Sequence, residues 1–406
     1  MRGVYGMELT KKERILVYKD GISNNAVKKY LNKYNYKYDD IVKENEYDYI
    51  VKPPGVLMNE IKVKGKIICD IELAYMINPF FSIAVTGTNG KTTCVLLINH
   101  ILKNTYKIDL CGNIGYPIFN VFNNERKIYL LEMSSFELES ISTFKPRIAI
   151  LLNIKEAHLD HHKTMENYIN AKANITKNQE KIDFLIYNVD DLNVKEVSNK
   201  SHAIKIGISL HDEKAEAYYK EGMMYSKYGN VSFEKTFSDL EGDLYDTMAA
   251  VLVGLLSNIS IKEIETRMQD FKKPLYRMEE VYPNIYNNSK STNIYSTLAQ
   301  IKHLRNISLI CGGYDRFNSL SDLNEVAKYT SIFYLYGENK DRVANYLYKN
   351  QIKHIVCENL EDAILKAIKD YEIILFSPMA PSYDQFKSFE ERGKYFNELI
   401  KKYLPK

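Results

Sequence analysis

Short apolar runs alternate with amphipathic stretches along nearly the whole chain. A continuous apolar run suits a strand buried on both faces of a sheet, and an amphipathic stretch suits the helix that crosses over it. The pattern therefore predicts an α/β protein made of βα units with parallel sheets. Strands are expected at RILVYK (14–19), YDYIVK (47–52), FSIAV (81–85), KIYLLEM (127–133), RIAILLN (147–153) and DFLIYN (183–188). Three more are expected at ISLICGG (307–313), SIFYLYG (331–337) and EIILFS (372–377). DIELAYMI (70–77) reads as a helix, as does the segment whose apolar face is Val95, Leu96, Leu97, Ile98, Ile101 and Leu102. The polar stretch 205–240 carries a hairpin signal at KYGN (227–230).

Three blocks follow from this pattern. The first, 1–77, holds two short strands and the DIELAYMI helix; the second, 78–271, starts at Asn78-Pro79; the third, 272–406, has Pro274 as its boundary marker. The 406 residues are enough for domains of ordinary size, with 45% apolar and 26% charged residues. The net charge of +3 gives no electrostatic reason to expect nucleic acid or an anionic membrane as partner. Cys69, Cys94, Cys111, Cys311 and Cys357 are scattered without metal-ligand spacing, as expected for reduced buried thiols in a cytoplasmic protein. No signal peptide and no bilayer-length apolar run is expected.

The chemistry concentrates in VTGTNGKTTC (85–94), between a strand and a helix. Gly87 and Gly90 let backbone N–H groups turn inward around phosphate oxygens, and the helix N-terminus adds its own donors and positive dipole end. Lys91 reaches terminal phosphates, and Thr92 offers a hydroxyl to Mg²⁺. The general pattern of such loops has glycine where this chain has Val85. A glycine turn that merely caps a helix would not need Gly-Lys-Thr-Thr at this junction.

TGTNGKTT in this setting resembles the phosphate loop of the Mur ligase family, ATP-dependent amide-bond ligases of peptidoglycan precursor synthesis. Further segments in the same order strengthen the likeness: GNIG (112–115), LEMSSFELE (131–139), LNIKEAHLDHH (152–162), YINAKANI (168–175), NNSKSTN (287–293), CGGYDR (311–316) and SPMAPSYDQFKSFEERG (377–393). The segments at 131–139 and 377–393 are similar to those of the branch that adds D-glutamate. The resemblance implies three domains: an N-terminal Rossmann-like domain for a UDP-sugar, a central P-loop ATPase-type parallel sheet, and a C-terminal Rossmann-like domain for the amino acid. It implies UDP-N-acetylmuramoyl-L-alanine and D-glutamate as substrates, ATP with Mg²⁺ at two sites, and a monomer.

Residue by residue, the resemblance places Gly87, Thr88, Asn89, Gly90, Lys91, Thr92 and Thr93 on the nucleotide. It places Thr92 and Glu132 on one Mg²⁺ and His158 on a second. Lys172 matches a lysine that the family carbamylates into an anionic metal ligand, so Lys91, Glu132, His158 and Lys172 form the implied catalytic set. Asn113 would lie near the reacting carboxylate. Arg277 and Lys290 would hold nucleotide phosphates, with Asn288 near the ribose. Lys290 also belongs with Thr292, Arg316, Ser382 and Phe389 on the amino-acid side, and Gly21, Ile22, Ser23 and Gly55 match loops for the UDP diphosphate.

Several positions depart from the family pattern. Asp243 and Asp246 stand where asparagines usually meet the adenine edge, and an ionised Asp can only accept hydrogen bonds. Asn288 replaces Asp, Ala157 replaces Asp, Tyr276 replaces His, Glu137 replaces Gln and Arg316 replaces Lys. Two other readings stay open: a ligase of the same fold with a different acceptor or amino acid, and a non-catalytic nucleotide-binding paralogue. The first predicts turnover with an unexpected substrate pair; the second predicts no phosphate release with any pair.

Overall fold

The computed structural model describes residues 9–404, apart from 10, 115, 235, 237, 239, 273–274, 302–303, 318 and 371. The boundary marker expected at position 274 and the last glycine of GNIG lie outside the described residues. The chain divides into two compact units, 1–239 with 243–271, and 272–406 with 240–242.

The first unit contains two sheets. β1 (Ile15–Val17), β2 (Glu46–Val51) and β3 (Lys64–Ile68) form a three-stranded parallel sheet in that order. β3 was not expected, because its KGKII sequence is exposed over its first three residues and so shows no apolar run. The larger sheet comprises β4 (Ser82–Thr86), β5 (Ile108–Gly112), β6 (Ile128–Glu132), β7 (Ile148–Leu151), β8 (Phe184–Asn188), β9 (Ile204–Ser209), β10 (Ala217–Lys220), β11 (Met223–Ser226) and β12 (Val231–Ser232). Its order is β12-β11-β10-β9-β8-β7-β4-β6-β5. β4 lies between β6 and β7, parallel to both. The KYGN hairpin forms as expected, with Met224 opposite Val231.

The helix Lys91–Leu102 packs Val95, Ile98 and Ile101 with Met248, Val251 and Leu252 of the helix Glu241–Leu256 on one face of this sheet. The other face shares a continuous core with the first sheet's helices, through Tyr30, Leu31, Met76, Phe119, Phe122 and Tyr129. That shared core explains why the first 77 residues fall into one compact unit with the nine-stranded sheet. Asp70–Ile77 is helical, as its sequence predicts, and nearly every side chain on it is buried.

The second unit holds β13 (Glu279–Tyr282), β14 (Ile285–Asn287), β15 (Ile307–Gly312), β16 (Thr330–Tyr336), β17 (His354–Val356) and β18 (Ile373–Phe376). The order is β13-β14-β18-β15-β16-β17, parallel except for β13. Among the described residues, no helix is long and apolar enough to cross a membrane. All five cysteines are free and buried.

Candidate active site

In an open parallel sheet, ligands gather at the carboxyl ends of strands where the order reverses. Here that place is the end of β4, flanked by β6 and β7. Gly90 has φ 86°, the left-handed region that a side chain resists, and starts the helix at Lys91. A Cβ at Gly90 would sit 2.3 Å from an Asp246 carboxylate oxygen, so only glycine fits.

Asn153, just past β7, anchors the loop from below. Its carbonyl accepts from Thr88 N at 2.8 Å, its Oδ1 accepts from Asn89 N at 2.8 Å, and its Nδ2 donates to the Asn89 carbonyl at 3.1 Å. Thr88 Oγ1 contacts Tyr168 OH at 3.1 Å and accepts from Lys155 N at 2.9 Å. Thr93 is buried in the helix, and Thr92 is half-buried at its first turn.

Two amines converge on one oxygen. Lys91 Nζ donates to the Gly87 carbonyl at 2.8 Å and to that of Thr88 at 3.0 Å. Lys172 Nζ donates to the same Gly87 carbonyl at 2.8 Å and lies 3.4 Å from Thr86 Oγ1. Lys172 reaches this point from the helix Met165–Ala173, which Thr164 caps, and it is 1% exposed. Burial pushes its amine well below the ordinary lysine range, and the charge of Lys91 pushes the same way; Glu132 opposes them. A surface lysine would show none of this.

Glu132 ends β6 and is 2% exposed. Asn113 Nδ2 donates to its Oε1 at 2.8 Å, while its buried Oε2 has no hydrogen-bond partner. A buried carboxylate oxygen left over beside a phosphate loop is what a hard cation needs, so the residues present fit Mg²⁺. Gly112, at φ 93°, lets the chain wrap the end of β6: a Cβ there would lie 2.3 Å from the Glu132 carbonyl.

His158 has φ 58°, uncommon for a residue with a side chain, and precedes the short helix Leu159–His162. Its ring packs edge-on to Phe136 at 4.9 Å and near Tyr168 at 6.2 Å. Tyr168 in turn contacts Thr88, which ties the His158 loop to the phosphate loop. Asp243 and Asp246 are buried on the helix Glu241–Leu256, Asp243 accepting from Ser238 Oγ at 2.6 Å. Asp246 faces the loop at Gly90.

The first-sheet residues form their own cluster. A Cβ on Gly21 would touch Pro53 at 3.4 Å, so Gly21, the N-cap of the helix Ile22–Lys33 that begins with Ile22 and Ser23, meets the turn before Gly55. Asn24 Nδ2 locks them by donating to the carbonyls of Tyr18, Lys19 and Val51. Open space surrounds Gly55. Lys52, fully buried, links this turn to the large sheet: it pairs with Glu139 at 2.8 Å and donates to the Phe136 carbonyl at 3.3 Å.

The second unit gathers another set. Lys290 Nζ lies 3.8 Å from the centre of the Phe389 ring, and Lys290 N donates to the Tyr276 carbonyl at 3.1 Å, next to Arg277. Asn288 turns inward, donating from Nδ2 to Ser377 Oγ at 2.9 Å. Arg392, with no exposed surface, donates to Ser289 O, Ser289 Oγ and the Ala380 carbonyl at 2.8, 3.1 and 3.0 Å. It thereby holds the loop of Lys290 and Thr292 to the loop that carries Ser382. Arg316 is half-buried beside Asp315, whose carboxylate takes two hydrogen bonds from Arg342.

Sequence reasoning missed Asn153, Lys52, Tyr168 and Arg392. Asn153, Tyr168 and Arg392 lie inside segments that carry the resemblance, but each of the four acts through a partner distant in the chain, so its role is not marked locally.

Comparison with known proteins agrees with this geometry. Residues 85–252 match the family model "Mur ligase middle domain". A UDP-N-acetylmuramoylalanine–D-glutamate ligase from Staphylococcus epidermidis is 34% identical over 375 residues, covering 88% of this chain and 83% of that protein. Among solved structures, a pseudomurein peptide ligase type C from Methanothermus fervidus superposes with a TM-score of 0.64 at 16% identity, covering 97% of this chain and 100% of that one. A MurF ligase from Thermotoga maritima in complex with ADP gives 0.61 at 16% identity, covering 96% and 95%. At such identities the solved structures speak for the fold alone.

Proposed function

The chain belongs to the Mur ligase family, and we propose that it joins D-glutamate to UDP-N-acetylmuramoyl-L-alanine with cleavage of ATP to ADP and phosphate. The observation that carries this reading is the pair of amines, Lys91 and Lys172, meeting beside the orphaned oxygen of Glu132 at a phosphate loop. The likeness to the glutamate ligase over most of both chains supports the choice of amino acid.

In this reading the backbone of Gly87–Thr93 cradles the phosphates, and Lys91 neutralises the terminal one. Thr92 and Glu132 would hold one Mg²⁺, and His158 with a carbamylated Lys172 would hold a second. The ions supply charge neutralisation as anionic groups are brought together. An oxygen of the acceptor's carboxylate attacks the γ-phosphorus, the bond to ADP breaks, and an acyl phosphate forms. The amine of D-glutamate then attacks the acyl carbon; phosphate leaves, and the amine loses a proton as the amide forms.

Lys172 is suited to carbamylation. Burial and the charge of Lys91 lower its pKa and so favour the neutral amine, the form that adds to CO₂ with release of a proton to leave a carbamate anion. The anion would then face Lys91 as an attraction. Asn113 lies at the Glu132 carboxylate, where the reacting end of the acceptor would come. The Gly21–Ser23 segment and Gly55 take the UDP diphosphate. In the second unit, Arg277 and Asn288 serve the nucleotide, and Lys290, Thr292, Arg316, Ser382 and Phe389 the amino acid. We assign 1–77 to the UDP-sugar, 78–271 to ATP and 272–406 to the amino acid, in a cytoplasmic monomer.

The test is product mass. The protein, ATP, Mg²⁺ and UDP-N-acetylmuramoyl-L-alanine are incubated with a panel of amino acids that includes both glutamate enantiomers, lysine and D-alanine. The D-glutamyl product alone is expected. A product built from another amino acid would move the protein to a different branch of the family.

A further inference from the structure

Besides Lys172 and Glu132, the large sheet carries a second cluster of ligating groups, and nothing in the ligase chemistry uses it. Glu139 follows the short helix Ser135–Leu138, and His161 and His162 close the helix Leu159–His162. Their side chains are only 13%, 10% and 3% exposed. We propose that Glu139, His161 and His162 bind a transition-metal ion of the zinc type, at a site distinct from the Mg²⁺ positions.

One ligand atom from each residue lies within 4.8 Å of the others. Glu139 Oε2 is 2.9 Å from His161 Nε2 and 3.8 Å from His162 Nδ1. Zinc bonds to nitrogen and oxygen of about 2.0–2.2 Å set ligand atoms roughly 3.3 Å apart around a tetrahedron, so small side-chain shifts complete the site. Two imidazoles and a carboxylate leave the fourth position for water. Imidazole favours zinc, nickel and copper, whereas Mg²⁺ prefers an all-oxygen shell.

The groups are also oriented as metal ligands are. His162 Nε2 is hydrogen-bonded to Ser135 Oγ at 2.9 Å, which turns Nδ1 toward Glu139. Lys52 pairs with the other carboxylate oxygen, Oε1, at 2.8 Å; Oε1 also lies 3.1 Å from His161 Nε2, and Oε2 faces both rings. Outer partners of this sort fix the ligands of known metal sites. Phe136 stacks on His162 with a 10° interplanar angle and meets His161 edge-on at 4.6 Å, so neither ring turns freely. Burial alone would raise the Glu139 carboxyl, but His161 and Lys52 overcome it and keep it anionic. Glu60 lies within electrostatic reach of His161 and eases the added positive charge. The buried free thiols offer no competing site at the surface.

The experiment uses full-length protein without a histidine tag, stripped with EDTA and titrated with Zn²⁺ by calorimetry in a large excess of Mg²⁺. One equivalent should bind, and Glu139→Gln and His161→Ala should each weaken it at least tenfold. Thermal melting checks that both variants fold. Crystals of the wild type soaked in zinc under the same Mg²⁺ excess should show an anomalous peak among the three side chains. No uptake, uptake indifferent to both substitutions, or a peak only at Glu132 and Lys172 would overturn the proposal. None of these results depends on ligase activity.

Discussion

Lys172 shows how far a residue's meaning depends on its surroundings. On its helix it looks like any lysine; in the fold it is buried against the phosphate loop with its pKa pushed well below the ordinary lysine range. Lys172→Ala is expected to lower kcat by about a hundredfold or more, the scale of losing one preorganised charge in an active site. Wild-type turnover in that variant would sink the carbamate assignment, and ¹³C NMR of wild-type protein in ¹³CO₂ should show a carbamate carbon that the variant lacks. Arg316→Ala should raise the KM for the amino acid roughly tenfold, the cost of one charge-assisted pair, and leave the KM for ATP alone; the opposite split would remove Arg316 from the amino-acid site. Glu137, which stands where the family has Gln, is fully buried. Burial and then the charge of Asp70 push its carboxyl from 4.5 up to about 8, despite hydrogen bonds from Ser134. At neutral pH it is therefore a neutral hydrogen-bonding group, as Gln is. Because folding raises this pKa, the protonated form stabilises the fold fully below pH 4.5, and that stability is lost as the pH rises through about 8. In metal-free protein, Glu137→Gln should flatten the decline of thermal stability across this window. Glu137's own share of the wild-type slope is about 1.4 kcal/mol per pH unit at most; equal slopes in the two proteins would contradict the assignment.

Elements built from continuous apolar runs were legible in the sequence. All nine expected strands form, because β4, β6, β7, β15 and β18 lie inside their sheets and bury almost every side chain. The strands that escaped notice are mostly at the margins. β3 and β17 are edge strands that each expose half or more of their residues, so side-chain polarity follows no core. The phosphate loop was legible for a different reason: Gly90 is dictated by its left-handed backbone angle, and its Gly-Lys-Thr-Thr run is contiguous in the sequence. Gly90→Ala tests this at the scale of the loop. The added carbon would collide with Asp246, so nucleotide affinity should fall by about tenfold or more while far-ultraviolet circular dichroism stays unchanged. Unaltered affinity would mean that the loop does not hold phosphate in this conformation. What the sequence did not reveal was the scaffolding around the loop. Asn153 grips Asn89 from 64 residues away, and Lys52 reaches Phe136 across 84. Such contacts exist only once the strands have been ordered into a sheet.

For the whole molecule, the arrangement follows from the reaction it is proposed to perform. Three anionic ligands must be bound: the phosphates of ATP, the UDP diphosphate of the acceptor and the carboxylates of the incoming amino acid. Under the proposed function each has its own cluster, at Lys91–Lys172, at Gly21–Gly55 and at Lys290–Phe389 respectively. The departures from the family pattern at Asp243, Asp246 and Asn288 touch the nucleoside end and leave Lys91, Glu132, His158 and Lys172 in place. A working ligase rather than a binding relic is therefore expected. The most direct measurement is phosphate release from ATP in Mg²⁺ with UDP-N-acetylmuramoyl-L-alanine, with and without D-glutamate. Sustained release that requires both substrates is the predicted result. No release with the pair, from protein that still binds ATP, would contradict it.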